Sequence, residues 1–216
     1  MTREEKVAKI LLDIKAVTLS PKNPYKWASG ILSPIYTDCR LLMSCPQERK
    51  SVIEEMMNIV EEEIGNDKFD IIAGVATSGI PHAAWLAHRL EKPMIYARKA
   101  KKDHDKENLI EGKLEKGQRV ILIEDLVSTG GSSVDSINAI RNSGGGLDYE
   151  ISIFTYGLEK SKKNFEDARV KPFSLTNFST LVKVAAKNGY LKKDEQKLVL
   201  EFQKDPGGWG EKHFKK

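Results

Sequence analysis

Cysteine is nearly absent from this sequence: Cys39 and Cys45 are the only two among 216 residues. So few thiols, in a non-repeating context, exclude a disulfide-stapled scaffold, and no further ligands beside them make a metal knot. They are expected to be reduced and to serve packing at most. No run approaches ~18 consecutive apolar residues, so no helical membrane span is expected. The opening Met1-Thr2-Arg3-Glu4-Glu5 runs straight into an amphipathic pattern, unlike a signal peptide. Aromatic residues make up only 7%, and the positive excess is only +4, gathered near Lys99–Lys106 and the C-terminal tail. A nucleic-acid binder carries a sustained basic face. These absences leave a cytoplasmic protein with no membrane or nucleic-acid partner, whose local cations suit an anionic small molecule. Repeats and low-complexity linkers are missing too.

What is present is strand alternating with helix. Apolar runs at Phe69–Val75, Pro93–Ala97, Val120–Ile123 and Tyr149–Tyr156 read as buried parallel strands. Helical periodicity covers Glu4–Val17, Pro46 to about Ile64, Ile80–Ala87, Val134 to about Asn142, Phe178–Lys187 and Asp194–Phe202. A shorter helix is expected at Asn164–Arg169, an edge strand at Lys171–Leu175, and a loose tail from Gly207 onward. Tyr25–Asp38, aromatic and β-branched around Ser-Gly and Ser-Pro, reads as a hairpin. The fold class is therefore α/β, a mainly parallel sheet flanked by helices.

One stretch organises the rest. Val120–Ile123 leads to Glu124 and Asp125 at the expected strand end, and then to Leu126-Val127-Ser128-Thr129-Gly130-Gly131-Ser132-Ser133. Glycines let the backbone turn tightly and approach a ligand closely. The amides that open the next helix are unpaired and attract phosphate. The hydroxyls of Ser128, Thr129, Ser132 and Ser133 add donors. The two carboxylates suit sugar hydroxyls or a divalent cation. A second strand-to-helix turn, Ala76-Thr77-Ser78-Gly79, offers another phosphate site. Between two strands, Arg98–Gly112 is a polar, cation-rich segment of the kind that closes over sites.

The acidic doublet with its hydroxyl and glycine run resembles the phosphoribosyl-pyrophosphate (PRPP) motif of type I phosphoribosyltransferases. The Ser-Gly and Ser-Pro-x-Tyr hairpin, and Arg98-Lys99 followed by Lys102-Asp103-His104, resemble the hood and catalytic loop of the orotate phosphoribosyltransferases. The resemblance implies one phosphoribosyltransferase domain over residues 1–216. Its parts would be an N-terminal helix and hood to about residue 45, a core to about 190, and a C-terminal helix and tail. It implies transfer of phosphoribose from PRPP to orotate, yielding orotidine 5-monophosphate and pyrophosphate. Mg²⁺ would be held mainly by PRPP, with no direct protein ligand. Lys102 and Asp125 would be catalytic. PRPP would be bound by Arg98, Lys99, Lys102 and His104, and by the run from Glu124 through Ser132. Ser128 would touch orotate, and Thr77, Ser78 and Gly79 would face pyrophosphate. Members are typically homodimers that share the loop across the interface. Two departures stand out: Ala28 where a Lys before Ser-Gly is common (Lys26 is nearby), and no Arg after the strand at 149–156. Two rivals remain at this point: a phosphoribosyltransferase for another base, and a non-catalytic PRPP-sensing regulator.

Overall fold

A computed structural model describes residues 1–27, 30–98 and 109–214. Helix α1 (Arg3–Asp13) starts at a capping box: Thr2 Oγ1 accepts from the Glu5 amide, and the Glu5 carboxylate accepts from the Thr2 amide. It ends before Val17, which the periodicity assigns to the helix. Val17 instead opens β1 (Val17–Leu19). Lys15 turns the chain there with φ +59.

The N-terminal segment contains two small ladders rather than one hairpin. β2 (Tyr25–Lys26) pairs with β3 (Leu32–Ser33), while β1 pairs antiparallel with β4 (Ile35–Thr37). A short 3₁₀ turn, Cys39–Ser44, follows; Asp38 caps it by accepting from the Arg40 amide. Cys39 and Cys45 are free thiols, and Cys39 is buried. Helix α2 (Pro46–Ile59) has Pro at its first turn and continues into a π turn at Val60–Ile64.

Six strands form the main sheet: β5 (Ile71–Val75), β6 (Met94–Ala97), β7 (Ile110–Glu111), β8 (Arg119–Val127), β9 (Gly146–Thr155) and β10 (Lys171–Asn177). Their order is β10-β9-β8-β5-β6-β7, all parallel except the β6–β7 pair. Helices α3 (Gly79–Leu90), α4 (Gly131–Asn142), α5 (Glu159–Ala168) and α6 (Phe178–Lys187) connect or cover them. Helix α5 begins five residues before the expected Asn164, and β10 runs two residues past Leu175.

Because side chains alternate along a strand, β8 feeds two cores. Ile121 and Ile123 join the cluster with α1, α2, α3 and α6; Val120 and Leu122 join the cluster with α4 and α5. The tail is not loose. After α7 (Lys193–Lys204) the chain turns into α8 (Trp209–Phe214). Trp209 is buried against Phe202, and its Nε1 donates to the Leu198 carbonyl at 2.8 Å. The glycines hide this anchor: a large apolar ring supplies the burial that the residues around it lack.

Candidate functional site

The strand ends of β5 and β8 do not coincide. Their ladder stops at Gly74↔Ile123, whereas β8 stays paired with β9 to Val127↔Thr155. The sequence pattern places Glu124 and Asp125 just past a strand end. They lie instead within a strand that has outrun one neighbour, so they border a crevice on the β5 side. Helix α3 leaves β5 toward one face of the sheet and α4 leaves β8 toward the other. Crevices at such a reversal are the ligand sites of open α/β sheets.

The two acids lie side by side: Asp125 acts electrostatically on His82, Glu124 interacts with Glu150, both act on Cys39, and each acts on the other. Both border one open cavity of about 510 Å³ with Thr77, Ser78, Leu126 and Ser132. Burial pushes the Glu124 carboxyl well above its ordinary range, and the neighbouring Asp125 charge adds to this. Beneath it lies Glu150, fully buried; burial raises its pKa to about 8, and Oε1 accepts from Ser133 Oγ at 3.1 Å. Ser133 is therefore turned inward, and its hydroxyl is engaged there rather than offered to a ligand.

At the foot of α4 the backbone turns sharply into the helix. Gly130 sits at the N-cap with φ +77, a conformation favouring glycine. The Thr129 carbonyl is held by Asn164 Nδ2 at 2.8 Å, which fixes the turn from outside. The first amides of α4 have no intrahelical acceptor. Val127 is buried in the core, so only its backbone faces the turn. Ser128 and Thr129 border a second cavity, of about 680 Å³, beside Trp27, Leu158 and Lys204.

The opposite loop, Ala76–Ser78, contains a cis peptide between Ala76 and Thr77. Gly79 begins α3 so close to β8 that a Cβ there would stand 2.5 Å from the Ile123 carbonyl oxygen. His82, one turn on, is buried against Trp85, and burial lowers its pKa to about 4, keeping it neutral.

Arg98 follows β6, half exposed, with Nε 3.2 Å from Glu111 Oε1. Lys99, Lys102 and His104 lie outside the described residues, as does Ala28. Lys26 is exposed on β2 and borders neither cavity. Sequence reasoning missed the wall supplied by the N-terminal segment: Thr37, Asp38, Arg40 and Met43 border the first cavity. The available signal was Asp38-x-Arg40 directly after the Ser-Pro-x-Tyr hairpin. Among the described residues, no group of three or more His, Cys, Asp or Glu is placed to hold a metal ion.

Comparison with known proteins agrees with this geometry. The family described as "Phosphoribosyl transferase domain" matches residues 46–173. A Coxiella burnetii protein named orotate phosphoribosyltransferase is 46% identical over 209 residues, covering 97% of this chain and 99% of that protein. One of the same name from Listeria innocua is 44% identical over 97% of this chain and all of its own length (100%). The crystal structure of orotate phosphoribosyltransferase from Aeropyrum pernix superposes with TM-score 0.75 at 27% identity, covering 86% of this chain and 99% of that one. A family match over residues 46–173, joined to 46% identity along 97% of the chain, means that this protein belongs to the phosphoribosyltransferase family, in its orotate phosphoribosyltransferase branch.

Proposed function

We propose that the chain transfers the 5-phosphoribosyl group from PRPP to orotate, giving orotidine 5-monophosphate and pyrophosphate. The observation that carries this reading is the crevice between β5 and β8. It brings an acidic pair, Ser132 in the first turn of α4 and a second strand-to-helix loop around one cavity.

Each part has a role in the chemistry. The amides of Gly131 and Ser132 and the turn from Leu126 through Gly130 take the 5-phosphate. Asp125 and Glu124 accept from the ribose hydroxyls. As the carbon–diphosphate bond lengthens, positive charge grows on the ribose ring, and the Asp125 carboxylate steadies it. Thr77, Ser78 and Gly79 face the departing diphosphate. Lys102 neutralises its growing negative charge, and Arg98, Lys99 and His104 bind its oxygens. Ser128 meets the base. The loop from Arg98 onward closes over the site and excludes water, which prevents hydrolysis of the donor.

The open, carboxylate-bordered cavity fits a hard cation that keeps most of its ligands on the diphosphate and in water. When bound there, Mg²⁺ would supply positive charge to offset the negative charge on the leaving group. The protein works in the cytoplasm as a homodimer, with Lys99, Lys102 and His104 delivered into the neighbour's site. Hood, core and C-terminal segment act as one domain; support comes from a single apolar cluster running from Val7 to Trp209.

A panel of orotate, uracil, adenine and guanine, each given PRPP and Mg²⁺ with chromatography of the products, tests the reading. Orotidine 5-monophosphate alone is expected. A purine nucleotide, or no nucleotide at all, overturns it.

A further inference from the structure

Thr155-Tyr156-Gly157-Leu158, at and after the end of β9, offers no Arg. On the function proposed above, the base carries a carboxylate, which a cation bordering the site would meet. The first cavity carries three carboxylates on its wall, Asp38, Glu124 and Asp125, and among the described residues bordering it Arg40 is the one cation. Without Arg40 the Asp38 and Asp125 charges of that wall would repel an anionic base.

The geometry of Arg40 suits a planar carboxylate. A guanidinium presents two edges, one through Nε and Nη2 and one through Nη1 and Nη2. Asp38 occupies the first edge, with Oδ1 accepting from Nε at 2.7 Å and Oδ2 accepting from Nη2 at 2.9 Å. Asp38 also accepts from the Arg40 amide at 3.1 Å, so side chain and backbone are tied to the same carboxylate. Among the described residues no other group hydrogen-bonds this guanidinium, so the second edge keeps both of its donors. The Arg40 side chain is 58% exposed. A fork fixed on one side and open on the other is pre-organised for bidentate recognition.

Position supports the same assignment. Thr37, three residues before Arg40, accepts from or donates to the Tyr156 hydroxyl at 3.1 Å. That contact joins the N-terminal wall to the very strand end that offers no Arg. We infer that Arg40, presented by the N-terminal segment and oriented by Asp38, binds the carboxylate of the base and sets specificity for orotate over neutral pyrimidines. Asp38 is a positioning residue; Arg40 touches substrate.

The test begins with wild-type protein converting orotate with PRPP and Mg²⁺; no conversion would defeat the proposed function itself, before Arg40 is in question. With that activity in hand, Arg40→Ala should raise the KM for orotate about 10- to 100-fold, the loss expected for a charge-assisted hydrogen-bonded pair. The KM for PRPP should stay as in wild type. Uracil, which has the ring without the carboxylate, should inhibit Arg40→Ala and wild type alike. Arg40→Lys should recover only part of the orotate affinity, because a point charge lacks the fork. Thermal melting of both variants guards against misfolding, and the lysine variant carries the test if the alanine variant is unstable. An unchanged orotate KM overturns the inference. So does a rise confined to PRPP, which would place Arg40 on the phosphates. A rise with Lys204→Ala and none with Arg40→Ala would put the carboxylate of the base in the second cavity, which Ser128 borders, and overturn it as well.

Discussion

Two strand-to-helix crossings face each other across the crevice, and they use glycine for different reasons. Where β5 enters α3, Gly79 packs against β8, with room for nothing larger beside the Ile123 carbonyl. Where β8 enters α4, among the described residues a Cβ on Gly131 would meet only Thr129 Oγ1 within 4 Å, at 3.8 Å. There the constraint falls one residue earlier, on the left-handed Gly130. The first crossing is fixed by packing against its neighbour strand. The second is fixed by backbone shape, which leaves its amides open. A rigid rail and an open cup thus arise from similar Gly-containing turns.

The largest test of this contrast lies under the cup. Glu150 has its pKa raised from 4.5 to about 8 by burial. The folded chain therefore holds a proton that the unfolded chain releases. The stability linked to this group is full below pH 4.5 and is lost as pH rises toward about 8. The slope is up to about 1.4 kcal/mol per pH unit. Glu150→Gln removes that slope. Urea unfolding across this window should show wild type losing stability relative to the variant as pH rises; parallel curves would show that Glu150 does not hold the proton.

Next in size is Gly79→Ala. Forcing a methyl against backbone should cost about 1–3 kcal/mol, read as a lower urea midpoint with an unchanged slope. A wild-type midpoint would mean that α3 can slide away from β8. Gly130→Ala should cost about 1–2 kcal/mol through left-handed strain and should also weaken PRPP binding, measured by calorimetry. The smallest effect belongs to Gly131→Ala, which should leave stability within about 0.5 kcal/mol of wild type. If Gly131→Ala proves as damaging as Gly79→Ala, the two crossings do not differ as described.

Much of this architecture is legible in the residues. Apolar runs identify β5, β6, β8 and β9, most plainly β5 and β8, because a strand buried on both faces has no polar alternation to obscure it. The site's centre is legible because Glu124, Asp125 and the glycine turn are contiguous. Other features depend on tertiary contacts. The extension of β8 past β5 follows from its pairing with β9, which no local pattern records. Arg40 enters the cavity wall only through the fold of the N-terminal segment. Ser133 reads as a ligand donor until Glu150, 17 positions on, claims its hydroxyl. The tail reads as loose because glycines surround Trp209, whose partners Phe202 and Leu198 lie on another helix.

The most direct measurement is orotate absorbance after PRPP and Mg²⁺ are added to wild type and to a Glu124→Gln, Asp125→Asn double variant. Steady loss of orotate is predicted with wild type, and a rate slower by about 100-fold or more with the double variant, since the charge that steadies the ribose is gone. Undiminished turnover by the double variant, or no turnover by wild type, would contradict the role given to the acidic pair.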